Sequence, residues 1–289
     1  MLQILLALIK NICYTLDMDN IHIEFDNVYF SYCEYKQNDS VLSKLKKHMH
    51  PLYEVLFVWE GTFTYVIEDK TYHVNKGDLI LINQSTYHFV KEISSETYCR
   101  FCFLFPGNYI DENLTNKIFT NSSIITINGD NTIEKLFYSF YTSLQNENVE
   151  NIKTLCFCYL YSILFSINKN YISNHATSVG KKAHINTNGY NLINYINNNF
   201  TKINKIEDIS NAIFLSTSFI NHYFKDNLDI SPMRFIRNKK ILLAYNLIES
   251  GQHPTDVYLE CGFSNYVTFY RQYIAIFGHP PTNRTKDKK

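Results

Sequence analysis

The sequence predicts a two-domain α+β chain: an amino-terminal antiparallel β-barrel, a helical segment behind it, and an all-α carboxy-terminal domain made of two helix–turn–helix units. Three observations predict it. The hydrophobic period changes from 2 to about 3.6 near residue 130. The chain has 289 residues, and at roughly 100–200 residues per domain that is room for about two. The formal net charge of +0 hides a split: Met1–Gly180 carries 13 Lys+Arg against 19 Asp+Glu, while Lys181–Lys289 carries 14 against 8. A segregated positive half points to a polyanion partner. With 45% hydrophobic residues, 9 Gly and 6 Pro, the chain is neither collagenous, low-complexity nor a disordered acidic polymer.

Residues 1–19 are read as an extension of uncertain role. MLQILLALIK is apolar, but no basic segment precedes it and no small-residue cleavage site follows, so it does not predict secretion. Met18, just ahead of the first domain sequence, is an alternative start to Met1. No apolar stretch reaches the roughly 18–20 residues of a transmembrane helix, and no membrane partner is expected. The seven cysteines (13, 33, 99, 102, 156, 158 and 261) are odd in number and scattered. That fits reduced thiols in a cytoplasm better than a disulfide framework. On a strand Cys99 and Cys102 face opposite sides, so the pair is read as packing.

Residues 20–128 form the predicted barrel. Short runs rich in Val, Ile, Tyr and Phe (Tyr53–Trp59, Thr62–Ile67, Thr71–Val74, Leu79–Ile82, then Tyr98–Phe105 and Ile124–Ile127) are separated by turn signals such as Glu60-Gly61 and Asn75-Lys76-Gly77-Asp78. Strands of that length and spacing predict a barrel or sandwich. Residues 129–172 are helical. Asp130 is the expected cap of a helix over Thr132–Leu144, and a second helix runs from Val149 to Ile167. Its Ile152, Leu155, Cys156, Tyr159, Leu160, Ile163, Leu164 and Ile167 form one stripe. The stripe serves equally a helix lying on the barrel or a seam between two subunits. Residues 173–189, polar and aperiodic, are the expected linker.

From residue 190 to 286 the pattern is helical. IEDISNAIFLSTSFINHYFK (206–225) gives an apolar face of Ile206, Ile209, Ala212 and Ile213, a turn at Phe214-Leu215, and Ser216 as cap of a second helix. Phe219, Ile220, Tyr223 and Phe224 face inward, leaving Thr217, Ser218, Asn221, His222 and Lys225 outside. A short polar face on a helix after a tight turn suits the major groove of double-stranded DNA. PTDVYLECGFSNYVTFYRQY (254–273) repeats the plan: Val257 and Leu259 supply apolar contacts, Gly262 allows the turn, Ser264 caps, and Asn265, Tyr266, Tyr270 and Arg271 point out. Between the units Met233–Glu249 is one long helix, capped by Ser231 and begun by Pro232, with Arg234, Arg237, Lys239 and Lys240 as a basic side.

SxxFINHYFKDNLDISPMRFI followed by GFSNYVTFYRQYIAIFGHPP resembles the double helix–turn–helix domain of AraC/XylS-type transcription regulators, over roughly Tyr190–Arg284. The resemblance implies base or backbone contacts from Thr217, Ser218, Asn221, His222 and Lys225, and from Asn265, Tyr266, Tyr270 and Arg271. It also implies a homodimer, RNA polymerase as a partner, and activation as the commoner mode. Asp229 stands where the family usually has Gly, Lys240 where Arg is usual, Tyr258 where Ala is usual and Gln272 where an apolar residue is usual. These departures favour the first unit over the second as the base reader.

In the amino-terminal half, His48-x-His50-x-x-x-Glu54, then Gly61 and His88, has the spacing of the cupin signature. Two imidazoles and a carboxylate on one strand, joined by a ligand from a later strand, can converge on a metal. Cupins are jelly-roll barrels, and the regulator family carries such a barrel in front of its DNA-binding domain. There the stretch similar to HMHPLYEVLFVWEG is usually retained without metal, as a pocket for a small-molecule effector or a surface for a protein one. The full expectation is therefore a cupin-like sensor barrel with a helical dimerisation segment, joined to a double helix–turn–helix. His48, His50, Glu54 and His88 lie in its ligand pocket, and no catalytic residue, metal or cofactor is assigned. Trp59, Tyr53, Tyr65, Tyr87 and Phe89 are candidates for an aromatic wall. Two rivals remain: a metal-dependent cupin enzyme, such as an oxygenase or isomerase, with an auxiliary helical domain, and a regulator that answers to another protein.

Overall fold

The computed structural model describes residues 13–17, 20–36, 47–120, 123–127, 131–145, 149–172, 184–185 and 187–282. The apolar start MLQILLALIK, the alternative start at Met18, the expected cap Asp130 and most of the expected linker lie outside the described residues. The chain divides into two compact units, one spanning most of 10–184 and the other beginning at Ile185.

The amino-terminal unit is built on ten strands: β1 (Cys13–Asp17), β2 (Asn20–Phe25), β3 (Val28–Lys36), β4 (Tyr53–Glu60), β5 (Thr62–Ile67), β6 (Lys70–Asn75), β7 (Asp78–Ile82), β8 (His88–Ile93), β9 (Thr97–Phe105) and β10 (Ser123–Thr126). The larger sheet has the order β1-β2-β3-β9-β4-β7-β10, and β6, β5 and β8 lie side by side in the second. Neighbours in the larger sheet pair antiparallel, as do β5 and β8. β1 falls inside the stretch read as an extension: Cys13–Asp17 pairs with Asn20–Glu24, so the sheet starts earlier than the apolar pattern indicated.

The period-2 alternation decides which side chains face which layer. On β9, Cys99, Phe101, Phe103 and Phe105 enter one core, while Tyr98 enters the other, between the sheets. Three helices cover the outer face of the large sheet: α1 (Glu112–Phe119), α2 (Thr132–Leu144) and α3 (Val149–Ile167). The sequence pattern did not reveal α1, whose first turn is capped by the Asp111 carboxylate accepting from the Leu114 N–H at 3.1 Å. On α3 the side chains of Ile152, Cys156, Leu160, Ile163, Leu164 and Ile167 are all 0% exposed and belong to the same core as Phe30, Phe101 and Phe137. The stripe therefore lies on the barrel and is not a seam between subunits. Each such side chain contributes about 1.5–3 kcal/mol of burial, which leaves none of them for a partner. The exposed side of α3 carries Cys158, Tyr161 and Phe165 instead.

The carboxy-terminal unit contains α4 (Thr187–Asn199), α5 (Ile206–Ile213), α6 (Thr217–Tyr223), α7 (Pro232–Glu249), α8 (Pro254–Glu260) and α9 (Tyr266–Phe277). α4 starts inside the segment read as linker, because Gly189 is buried in its first turn. Ser216 caps α6 by accepting from the Phe219 N–H at 3.1 Å, and Ser231 with Pro232 opens α7. Three expectations are corrected. Asn265, not Ser264, caps α9, its side-chain oxygen accepting from the Thr268 N–H at 2.8 Å. Ala212 is exposed, since Ile209 alone fills the inner side of the short α5. Leu259 is 61% exposed, because Val257 is the α8 residue that reaches the core.

Candidate functional site

Helix α6 and the turn after it present Ser218, Asn221, His222 and Lys225 to solvent and Thr217 half-exposed, while Ile220, Tyr223 and Phe224 are buried beneath. Helical periodicity explains the split, and a π-helical turn at Phe224–Leu228 carries Lys225 beyond the last turn of α6. The His222 Nδ1–H donates to the Ser218 carbonyl at 2.8 Å, which fixes the ring and leaves Nε2 for an outside partner. Serine, asparagine, histidine and lysine side by side supply both donors and acceptors for base edges.

Helix α9, in the second unit, is different. Tyr270 and Arg271 are exposed and Tyr266 is half-buried, its ring against Tyr258 at 5.6 Å and Tyr270 at 6.0 Å. Asn265 is exposed, but its carbonyl oxygen is engaged in the cap. Val267 (57% exposed) and Thr268 share the outer side, and the sequence reading passed over both.

Lys240 braces the two units. It was expected on the basic side of the linking helix, yet it is 5% exposed: its Nζ donates to the Ile203 and Gly262 carbonyls, each at 2.9 Å. Ile203 precedes the first unit and Gly262 forms the turn of the second, so one ammonium ties both to α7. Burial lowers its pKa, partly offset by Cys261 and Asp208. Exchange of the usual Arg for Lys preserves a buried cation with donors for two carbonyls.

In the barrel, β4, β8 and the segment before β4 bring His48, His50, Glu54 and His88 together, their potential ligand atoms all within 4.8 Å of one another. His50 Nε2 and His88 Nε2 each lie 3.1 Å from the same Glu54 oxygen, Oε2. His50 Nδ1 contacts the Leu52 carbonyl at 3.0 Å and His88 Nδ1 the Thr86 carbonyl at 2.9 Å. Glu54 is 4% exposed and His88 1%. Burial alone would raise the Glu54 carboxyl, but the facing His50 and His88 outweigh it and hold it well below the usual carboxylate range. Burial lowers His50, with Glu54 opposing. The four residues singled out in the sequence thus form one cluster.

Of the aromatic candidates, Tyr65 stacks 6.2 Å from the His88 ring and Tyr87 packs on Phe89, whereas Tyr53 and Trp59 turn to the helical layer against Phe119 and Tyr138. Cys99 and Cys102 do face opposite sides, Cys102 donating to Glu54 Oε1 at 3.4 Å. The sequence reading missed Tyr98 and Arg100. Both lie on the β9 face that looks between the sheets, and the Tyr98 hydroxyl and Arg100 Nε are buried without a hydrogen-bond partner. An arginine in the midst of the apolar run Tyr98–Phe105, on the same parity as Cys102, was the signal.

Residues 34–157 match the family described as AraC-like ligand binding domain, and residues 209–286 match the helix–turn–helix domain. The chain is 23% identical over 223 residues to the lactose operon transcription activator of Staphylococcus xylosus, covering 75% of this chain and 77% of that protein. It is 31% identical over 78 residues to the probable transcriptional regulator LumQ of Photobacterium leiognathi, covering 27% and 32%. Among solved structures, unsaturated fatty acid-bound ToxT of Vibrio cholerae aligns over 92% of this chain and 94% of its own, at 13% identity and a TM-score of 0.38. With a ligand-binding barrel ahead of paired DNA-reading units, matched in that order over more than half its length, the chain belongs to the AraC-type family and is a ligand-responsive transcription regulator, not an enzyme.

Proposed function

We propose that the chain is a sequence-specific activator in which α6 reads base edges and α9 chiefly grips the backbone. The observation that carries this reading is the unobstructed polar face of Ser218, Asn221, His222 and Lys225 on a helix whose buried side is fully packed. Thr217 flanks it. Asn265, Tyr266, Tyr270 and Arg271 form the second contact, where two phenols and a guanidinium suit phosphate and sugar more than a base code. Rigid coupling through Lys240 favours two adjacent major-groove contacts about one DNA turn apart.

The signal enters at the barrel. A small-molecule effector contacts His48, His50, Glu54 and His88, with Tyr98 and Arg100 as further polar partners, and favours the arrangement in which both helices dock. Two copies associate, and the exposed Cys158, Tyr161 and Phe165 of α3 are the surface available for that contact. The complex works in the cytoplasm with RNA polymerase as its downstream partner. Among the described residues, no helix is long and apolar enough to cross a membrane.

Selection of bound duplexes from a random pool tests the reading. The intact protein enriches one motif. Asn221→Ala relaxes preference at one position at a cost of about 1–3 kcal/mol, whereas Arg271→Ala weakens all sequences together and reduces the salt slope by about 1. No enrichment at any salt concentration overturns the proposal.

A further inference from the structure

We infer that the effector is a small organic carboxylate, anchored by Arg100 in the space between the two sheets. The inference rests on the reading of the barrel as the effector pocket and names the chemical class that enters it.

Arg100 is the first arginine of the sequence, and the next is Arg234. It stands in the middle of β9, directly across from Cys33 on β3 and Val58 on β4. Residues opposite one another share a face of the sheet, and Val58 belongs, with Tyr98, to the core between the sheets. Arg100 Nε is buried there without a hydrogen-bond partner, as is the Tyr98 hydroxyl. Among the described residues no carboxylate forms an ion pair with the guanidinium. Glu54, the acid that acts on it through space, has its oxygens engaged by His50, His88 and Cys102. Arginine is always charged in a protein, and an enclosed cation without a counter-ion is costly. A bound anion supplies what the chain does not.

The surroundings choose the anion. One guanidinium matches one carboxylate in a two-pronged geometry. A phosphate dianion calls for a second cation, and among the described residues no lysine of this unit is buried. Around the charge the walls are aromatic. The Tyr98 ring centre lies 6.0 Å from the guanidinium carbon, Tyr35 stacks on Tyr98 at 6.1 Å, and Phe63 meets it edge-on at 4.8 Å. Such walls suit a carboxylate with an apolar body. Burial pushes the Tyr98 phenol above its ordinary value and the Tyr35 phenol up to about 12, so both stay protonated and can donate to an anion. Arg100, Cys33 and Tyr35 are half-buried, which leaves a way in from solvent. Cys102 stands two residues, about 7 Å, along the same face of β9, and its contact with Glu54 makes this site continuous with the histidine cluster.

Phenylacetate and octanoate are the probes, with phenylacetamide as the uncharged match of the first. Each is titrated calorimetrically into the full chain, and thermal unfolding is followed alongside. At least one carboxylate should bind at millimolar concentration or better, and phenylacetamide should not compete with it. Arg100→Lys keeps the charge without the fork and should weaken carboxylate binding about 10-fold, and Arg100→Met about 100-fold, the range spanned by charged hydrogen bonds. Arg100→Met should also raise the unfolding midpoint of the ligand-free chain by about 2–4 °C, because it removes an unpaired buried charge. A lower midpoint, or a variant that does not fold, marks Arg100 as a structural brace and overturns the inference. So does the absence of binding by both carboxylates. Phenylacetamide binding as tightly as phenylacetate overturns the anion and leaves the pocket to an uncharged effector. A chain that enriches a DNA motif yet ignores both carboxylates overturns the anion and leaves the regulator intact. A chain that binds a carboxylate through Arg100 yet enriches no motif supports the anion and overturns the proposed DNA reading.

Discussion

The two helix–turn–helix units make the same backbone turns with different residues. Ahead of its reading helix the first unit places Phe214 at φ 56, and the second places Gly262 at φ 78. Behind the reading helix stand Asp229 at φ 56 and Gly278 at φ 74. The left-handed conformation is demanded by the motif at all four positions, and it costs an ordinary residue about 1–2 kcal/mol. What differs is the room. Phe214 is 92% exposed and meets only solvent. A Cβ on Gly262 would stand 1.7 Å from the Thr201 carbonyl oxygen, whereas one on Gly278 would meet nothing within 4 Å. Glycine is thus obligatory where another strand of backbone passes close by, and merely economical where the turn is open.

Substitutions at these turns break or sharpen the contrast. Gly262→Ala has the largest expected effect, because left-handed strain of about 1–3 kcal/mol adds to overpacking of about 1–3 kcal/mol. Denaturant unfolding should show a loss of about 3 kcal/mol or more, and the Lys240 tie to Gly262 should fail with it. Gly278→Ala carries strain alone and should cost about 1 kcal/mol. A loss as large as that at Gly262 would show that proximity of Thr201 is not the deciding factor. Phe214→Gly runs in the other direction: it relieves the strain and gives back part of the gain as unfolded-chain entropy. A net stabilisation of about 0.5 kcal/mol is expected by thermal unfolding, and a destabilised variant would mean that the exposed ring has a partner in the folded protein.

The smallest effect lies at the entry to the first unit. Asp208 accepts from the Asn204 N–H at 2.8 Å and the Lys205 N–H at 3.0 Å, and these bonds hold its carboxyl below the ordinary 3.8. A depressed pKa contributes stability above the unfolded value, lost as pH falls through the folded one. Asp208→Asn should therefore cost about 0.5 kcal/mol at neutral pH, a capping contribution reduced by solvent. The difference from the parent should close in acid below pH 3.8, and a difference unchanged down to pH 2 would assign the effect to something other than the carboxylate charge.

Much of this architecture was legible in the chain. Apolar runs bounded by turn signals marked β4 and β7, alternation marked β5, the 3.6-residue stripe marked α3 from Val149 to Ile167, and Ser216, Ser231 and Pro232 marked helix starts. The family resemblance placed the reading helices, and the spacing of His48, His50, Glu54 and His88 placed the barrel cluster. Periodicity did not say what the α3 stripe packs on, since an apolar face has the same pattern whether a sheet or a second copy covers it. Nor did it separate the buried Lys239 and Lys240, both expected on the basic side, from the exposed Arg234 and Arg237 on a helix of mixed composition. The caps at Asn265 and Asp111 were obscured because several polar residues stood near each helix start.

The amino-acid sequence by itself determined the order of modules, the chemical character of the first reading face and the four residues of the barrel cluster, because those follow from local period and spacing. Only the tertiary structure decided that α3 is spent on its own barrel, that Lys240 ties two carbonyls from distant loops, and that Tyr98 and Arg100 join the region between the sheets. These outcomes depend on which surfaces meet after long stretches of chain close, and local patterns carry no record of that meeting.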